Sequence, residues 1–146
     1  MLFYAAYGSN LNLNQMKKRC PDAKPINSFL LKGYRLVFRG VADIEKSDNS
    51  KIFLGLYLIT KKCEKALDVY EDFPELYNKI YLNSNIKGNI YKFMTYKMVE
   101  KFNYSVPTQE YLEVIKQGYD NWKFDKNFLL NSAKHSLKFK YNKGYK

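Results

Sequence analysis

The sequence predicts a compact mixed α+β domain, with a small β-sheet built from the middle of the chain and helices bracketing it. Three observations carry this. Apolar and alternating runs of strand length fill most of residues 26–96, whereas helical stripes lie before and after and once between them. The chain has 146 residues, 46% hydrophobic and 17% aromatic, which is one domain's length and too apolar for a disordered polymer. No repeat, long linker or second composition regime divides it, so residues 1–146 read as a single domain.

In chain order, Leu2–Tyr7 is an apolar run ended by Gly8-Ser9-Asn10, a buried strand leading into a tight turn. Leu13, Met16 and Cys20 give a short amphipathic helix, capped by Asn10 or Asn12 and stopped by Pro21 and Pro25. Ile26–Leu31 and Tyr34–Ala42 read as strands split by Lys32-Gly33, with Leu36 and Phe38 alternating against Arg35, Val37 and Arg39. Ser47-Asp48-Asn49-Ser50 reads as a turn, and Ile52–Ile59 as a strand interrupted by Gly55. Thr60 caps a helix with the stripe Cys63, Ala66, Leu67 and Tyr70, which Phe73-Pro74 stops. Tyr77–Leu82 and Ile90–Tyr96 are strands joined through the polar Asn83–Asn89. Pro107-Thr108 open a helix carrying Tyr111, Leu112 and Ile115, closed by Gly118. Trp122 reads as a core anchor, and a last amphipathic helix from about Phe124 carries Phe128, Leu129, Ala133 and Leu137.

The formal net charge of +11 invites a nucleic-acid reading, but 22 of the 25 basic residues are Lys. Base-edge readout favours the Arg fork, and only Arg19, Arg35 and Arg39 offer one. Residues 123–146 alone hold seven Lys and one Asp, a solvated lysine face, so no specific nucleic-acid partner is expected. No apolar run approaches the ~20 residues of a membrane helix, and the first residues lack the basic start of a signal peptide. Cys20 and Cys63 form no CxxC pair and there is one His, so neither a metal site nor a cofactor is expected. Read as two unpaired core thiols, they fit a reducing cytoplasm.

Two constellations carry possible chemistry. In Tyr7-Gly8-Ser9-Asn10-Leu11, glycine permits a φ > 0 turn, and successive N–H groups at a helix start can cradle an anion. Taken alone, this is an ordinary strand-to-helix turn. Residues 67–77 pack four carboxylates among aromatics at a helix end; Asp68, Asp72 and Glu75 read as solvated. Glu71 follows the apolar stripe, where the helix C-terminus and burial among Tyr70, Phe73 and Tyr77 both push its pKa upward, toward a general acid or base. Ser9 lacks a nearby base, since His135, the sole histidine, reads as a partly exposed surface residue on a late helix.

Together these pieces resemble the gamma-glutamylcyclotransferase-like superfamily. The strand ending in Tyr7-Gly8-Ser9-Asn10-Leu11, the run Tyr34–Phe38, the Gly55 strand before Ile59-Thr60, the Leu67–Tyr77 segment and Pro107 to Gly118-Tyr119 follow its order over residues 2–120. The resemblance implies a mixed α/β fold around a small, strongly curved or barrel-like sheet. It implies a cavity with the Tyr7–Leu11 loop at its mouth, Glu71 as acid/base, and substrate contacts from Tyr7, Gly8, Ser9, Asn10, Leu11 and Tyr77. The chain departs from the family twice: Asp72 stands where Gly is common, and Lys79 where Arg often follows the tyrosine. The first could reposition Glu71 or couple to it, and the second bears on carboxylate recognition.

The chemistry that this family performs suits these residues. The α-amine of a gamma-glutamyl amide attacks its own γ-carbonyl, expelling an amine and leaving 5-oxoproline. Orientation supplies much of the acceleration, with effective molarities of about 10⁵ M or more in aligned cases. A base and a set of anion donors then suffice, with a small-molecule gamma-glutamyl substrate as the expected partner, no membrane partner, and the oligomeric state left open. The alternative is a catalytically inactive ligand-binding or interaction module on the same fold.

Overall fold

The computed structural model describes residues 1–99 and 102–142, with only the backbone for 139–142. In chain order it contains β1 (Leu2–Ala6), a 3-10 turn (Ser9–Leu11), α1 (Leu13–Arg19), β2 (Lys24–Phe38) and β3 (Ala42–Ile59). Then follow α2 (Lys61–Tyr70), β4 (Tyr77–Ile86), β5 (Asn89–Met98), α3 (Gln109–Trp122) and α4 (Lys126–Asn142). The fold is mixed α+β, as the sequence predicts. The end of the lysine-rich segment, residues 143–146, lies outside the described residues.

The strands form one mixed sheet in the order β2-β3-β1-β5-β4. β1 sits at its centre, antiparallel to β3 and parallel to β5, and its apolar run buries Tyr4, Ala5 and Ala6. The sheet is strongly curved. Although β2 and β5 are not neighbours, the rings of Phe29 and Phe93 meet edge to face at 5.3 Å. Phe29 pairs with Leu54 in the ladder, so both side chains share the concave face, where Leu54 and Phe93 are fully buried.

Several local expectations are corrected. Lys32-Gly33 does not split two strands: β2 runs through it, with Gly33 at φ 86 absorbing a register irregularity. The chain reverses at 39–41, where Gly40 has φ 89, so β3 begins at Ala42. Ser47–Ser50 is an excursion within β3, not the turn; Tyr34 pairs with Lys46 but Lys32 with Lys51. Val37 is fully buried with Leu36 and Phe38, because both faces of this segment are covered. β4 and β5 extend through the polar residues to a two-residue turn, Lys87-Gly88, with positive φ at both.

Gly55 and Gly118 were expected to interrupt a strand and close a helix. Neither does. β3 passes through Gly55, and α3 passes through Gly118 to end at Lys123, which is left-handed at φ 61. Both glycines instead admit the chain at Leu11. A Cβ on Gly55 would lie 2.8 Å from the Trp122 ring and 2.9 Å from Leu11, and one on Gly118 would lie 2.7 Å from Leu11 Cβ. Trp122 Nε1 then donates to the Leu11 carbonyl at 2.8 Å.

Cys20 and Cys63 are buried, as expected, but they are not separate thiols. They form a disulfide with their Cα atoms 5.0 Å apart, joining the end of α1 to the first turn of α2. Sequence separation of 43 residues hid the pairing, and the unpaired thiols that pointed to a reducing cytoplasm are absent. Among the described residues no helix is long and apolar enough to cross a membrane.

The close approach at Gly118 is testable. A methyl there also meets the Asn12 N at 2.8 Å, backbone that cannot rotate away. Gly118→Ala should cost about 1–3 kcal/mol in urea unfolding despite alanine's better helix propensity. Unchanged or raised stability would show that the loop yields freely.

Candidate active site

β1 delivers Tyr4 and Tyr7 to one end of the sheet, and the 3-10 turn carries Ser9 and Asn10 across it. Being first in that turn, the N–H groups of Ser9 and Asn10 precede its first internal bond, Leu11 N to Gly8 O. They are the backbone donors that an anion cradle requires. Gly8 serves differently than expected: its φ is −120, outside the left-handed region. Its role is clearance, since a Cβ would stand 3.1 Å from Ala42 Cβ and 3.5 Å from the Tyr111 hydroxyl.

A small cavity of about 20 Å³ opens against this loop, lined by Tyr4, Tyr7, Gly8, Ser9, Asn10, Ala42, Glu71, Tyr77, Tyr96 and Tyr111. Hydroxyls fasten its wall. Tyr7 donates to the Tyr96 carbonyl at 2.6 Å, and Tyr77 donates to the Ala42 carbonyl at 2.6 Å. The Ala42 N–H donates to the Tyr111 hydroxyl at 3.0 Å, and Asn10 Nδ2 to the Tyr4 hydroxyl at 2.9 Å. Next to Ala42, buried Asp43 accepts from Met98 N and from Arg39 Nε, fixing the start of β3.

Glu71 is the C-cap of α2, its N–H returned to the Leu67 carbonyl at 2.8 Å. Burial pushes its carboxyl up to about 7, against the opposing charge of Arg19. Asp72 follows at φ 53, the left-handed position that a glycine fills without strain and Asp tolerates better than most residues. Position 72 therefore asks for a backbone conformation, and the exposed Asp72 side chain supplies none of the influences on Glu71.

Six of the seven expected site residues, Tyr7, Gly8, Ser9, Asn10, Glu71 and Tyr77, surround one cavity. Leu11 does not. It is fully buried beneath the loop, packed at Gly55 and Gly118, because those glycines leave space only on that side. Asp68 is not a free surface charge: it accepts from Tyr96 Oη at 2.6 Å and, with Glu64, grips the Lys79 ammonium. Lys79 thus spends its charge outside the cavity. Glu75 is exposed as expected, while His135 is half-buried against Tyr104. Sequence reasoning missed Tyr4, Ala42, Tyr96, Tyr111 and Arg19. Arg19, at the last turn of α1, lies 3.6 Å over the Tyr70 ring and donates to Asn10 Oδ1 at 2.9 Å. Tyr70 in turn hydrogen-bonds Ser9 at 2.8 Å. No group of three or more metal-ligating side chains is assembled among the described residues. A larger cleft of about 610 Å³, lined by Arg39, Glu45, Lys97 and Tyr104 among others, shares no residue with this cavity.

The sequence profile of the family described as gamma-glutamyl cyclotransferase, AIG2-like, matches residues 4–123. Solved structures share the fold, three of them as follows. One described as gamma-glutamyl cyclotransferase is 22% identical, with TM-score 0.75 over 82% of this chain and 79% of that one. An uncharacterized Homo sapiens protein is 22% identical, with TM-score 0.74 and the same coverage. YkqA from Bacillus subtilis is 23% identical, with TM-score 0.75, over 93% of this chain but 54% of that one. No curated protein matches by sequence.

The charge state of Glu71 is open to direct measurement. Its carboxyl, raised from the ordinary 4.5 to about 7, binds a proton in the folded state that the unfolded chain has already released. Stability should therefore fall as pH rises across that window. Glu71→Gln removes the penalty, so its melting temperature relative to the unmodified protein should climb between pH 5 and pH 8. A difference independent of pH would contradict the raised value.

Proposed function

Because this chain belongs to the gamma-glutamyl cyclotransferase, AIG2-like, family, we propose that it cyclises a gamma-glutamyl amide or peptide, releasing 5-oxoproline and an amine. The observation that carries this reading is the pairing of Glu71, held near neutrality by burial, with the Tyr7–Asn10 wall in one cavity. Glu71 as carboxylate takes a proton from the substrate's α-ammonium. The freed nitrogen attacks the γ-carbonyl carbon, and the carbonyl π pair moves onto oxygen. Collapse of that tetrahedral species restores the carbonyl and breaks the bond to the leaving nitrogen, which receives the proton that Glu71 holds. The ring nitrogen loses its second proton to water, and the released amine takes one up.

Each part has a physical task. A pKa near the working pH lets one carboxyl serve as base and then as acid. The Ser9 and Asn10 N–H groups supply donors for the carboxylate or the oxyanion. At about 20 Å³ the cavity as it stands holds little more than a water, so a glutamyl chain enters only if the lining side chains give way. Asp72 and Lys79, the grounds for an inactive binding module, lose force. Asp72 fits the backbone conformation, and Lys79 does not reach the cavity wall.

The deciding experiment incubates the protein with a panel of gamma-glutamyl amines, amides and peptides, scored for 5-oxoproline. Glu71→Gln should lose about 10²–10⁴-fold in kcat with binding largely kept. The acidic limb of the kcat/KM profile should bend near pH 7. Ser9→Ala should still turn over, whereas Gly8→Val, driven into Ala42 and Tyr111, should not. Full activity of Glu71→Gln would sink the reading.

A further inference from the structure

Five tyrosine side chains line the cavity, and their hydrogen bonds divide them by direction. A backbone carbonyl or a carboxylate can only accept. Tyr7 and Tyr77 therefore have their hydroxyl protons committed to the Tyr96 and Ala42 carbonyls, and Tyr96 has its proton committed to Asp68. None of these three can donate to a ligand without breaking a bond of 2.6 Å.

Tyr4 is different, and the reason begins outside the cavity. A guanidinium can only donate, so the bond from Arg19 Nη1 forces Asn10 to present its oxygen to Arg19. The amide is planar, so its NH₂ must face Tyr4 and donate to the phenol oxygen at 2.9 Å. With that oxygen accepting, the Tyr4 proton points elsewhere, and no protein acceptor for it is found among the described residues. Arg19 is itself held by Gln15 Oε1 and by the face of Tyr70, and Tyr57 donates to the Asn10 carbonyl at 2.7 Å, so the relay is anchored at each step. Burial pushes the Tyr4 phenol well above its ordinary value, which keeps it a donor at every working pH. Tyr111 likewise accepts, from the Ala42 N–H, and lies beside Ser9; the backbone amide fixes its oxygen without any side-chain relay.

We propose that the Tyr4 hydroxyl is a directed hydrogen-bond donor to an anionic oxygen of the substrate, its α-carboxylate or the tetrahedral oxyanion, and that Arg19 is the positioning residue that aims it through Asn10. This rests on the cyclotransferase reading for the ligand, but not for the direction of the proton. Loss of Arg19 would let the Asn10 amide turn over, offer its oxygen to Tyr4, and withdraw the donor from the cavity.

The test compares Tyr4→Phe, Arg19→Met, the double variant and Arg19→Lys, each first checked for unchanged melting. Tyr4→Phe should lose about 10²-fold in kcat/KM, the scale of one oxyanion donor. A loss in kcat assigns the oxyanion and a loss in KM the carboxylate. Compared on the pH plateau, where Glu71 is ionised with or without the Arg19 charge, Arg19→Met should lose in the same parameter, and the double variant should be no worse than Tyr4→Phe, because both remove one donor. Arg19→Lys, also purely a donor, should restore most of it. Multiplicative losses in the double variant, or full activity in Tyr4→Phe, overturn the proposal. Neutron diffraction on the unliganded protein gives an arm independent of turnover: the Tyr4 deuteron should point into the cavity, and finding it on Asn10 overturns the proposal. If no gamma-glutamyl compound reacts with the unmodified protein, the cyclotransferase reading falls while the deuteron still decides the relay.

Discussion

The site depends on holding a polar loop rigidly over the end of an apolar strand. Leu11 achieves this by going down where Ser9 and Asn10 go across. Its side chain enters a space that exists only because positions 55 and 118 carry no Cβ, and its carbonyl is taken by Trp122. Asn12 completes the grip, donating to the Val114 carbonyl and to Gln117 on α3 while its oxygen caps α1. Two helices and strand β3 thus converge on four residues. Precision of this sort is what catalytic geometry asks of a scaffold, since small displacements of donors cost rate steeply.

Polarity around the cavity is arranged with the same economy. One carboxyl lies inside, and the neighbouring charges are matched elsewhere: Lys79 with Glu64 and Asp68, Arg39 with Asp43 and Glu45. Arg19 is the exception, because Asn10 and Gln15 are neutral partners. Its positive charge is left to act on Glu71, where it moderates the effect of burial. A fully desolvated Glu71 without that cation would be a poorer base near neutrality.

What was legible in the sequence was what chemistry writes locally. The Tyr7–Asn10 turn and Glu71 at a helix end announce themselves within a few residues, and the helices were recognisable from their stripes. The long hairpin was misplaced because Gly33 and Ser47–Ser50 look like turns, yet the ladder absorbs both as irregularities while Gly40 makes the reversal. Tyr111 was read as one tooth of an apolar stripe; only the fold carries its hydroxyl to Ala42. Arg19 and the Cys20–Cys63 bridge are contacts between α1 and distant segments, without local signature. Leu11 was overassigned because a motif is contiguous and a wall is not: neighbouring residues of a turn face different ways.

The tightness of the cavity bears on which nucleophile can compete. An activated γ-carbonyl is open to two attackers, the tethered α-amine and water, and hydrolysis would release glutamate. The cavity of about 20 Å³ must widen to seat a glutamyl group, and in the widened site the tethered amine competes with water through its orientation. On the cyclotransferase reading, ring closure over hydrolysis is then a partition ratio set by the effective molarity of the tethered amine, not by any residue that recognises the ring.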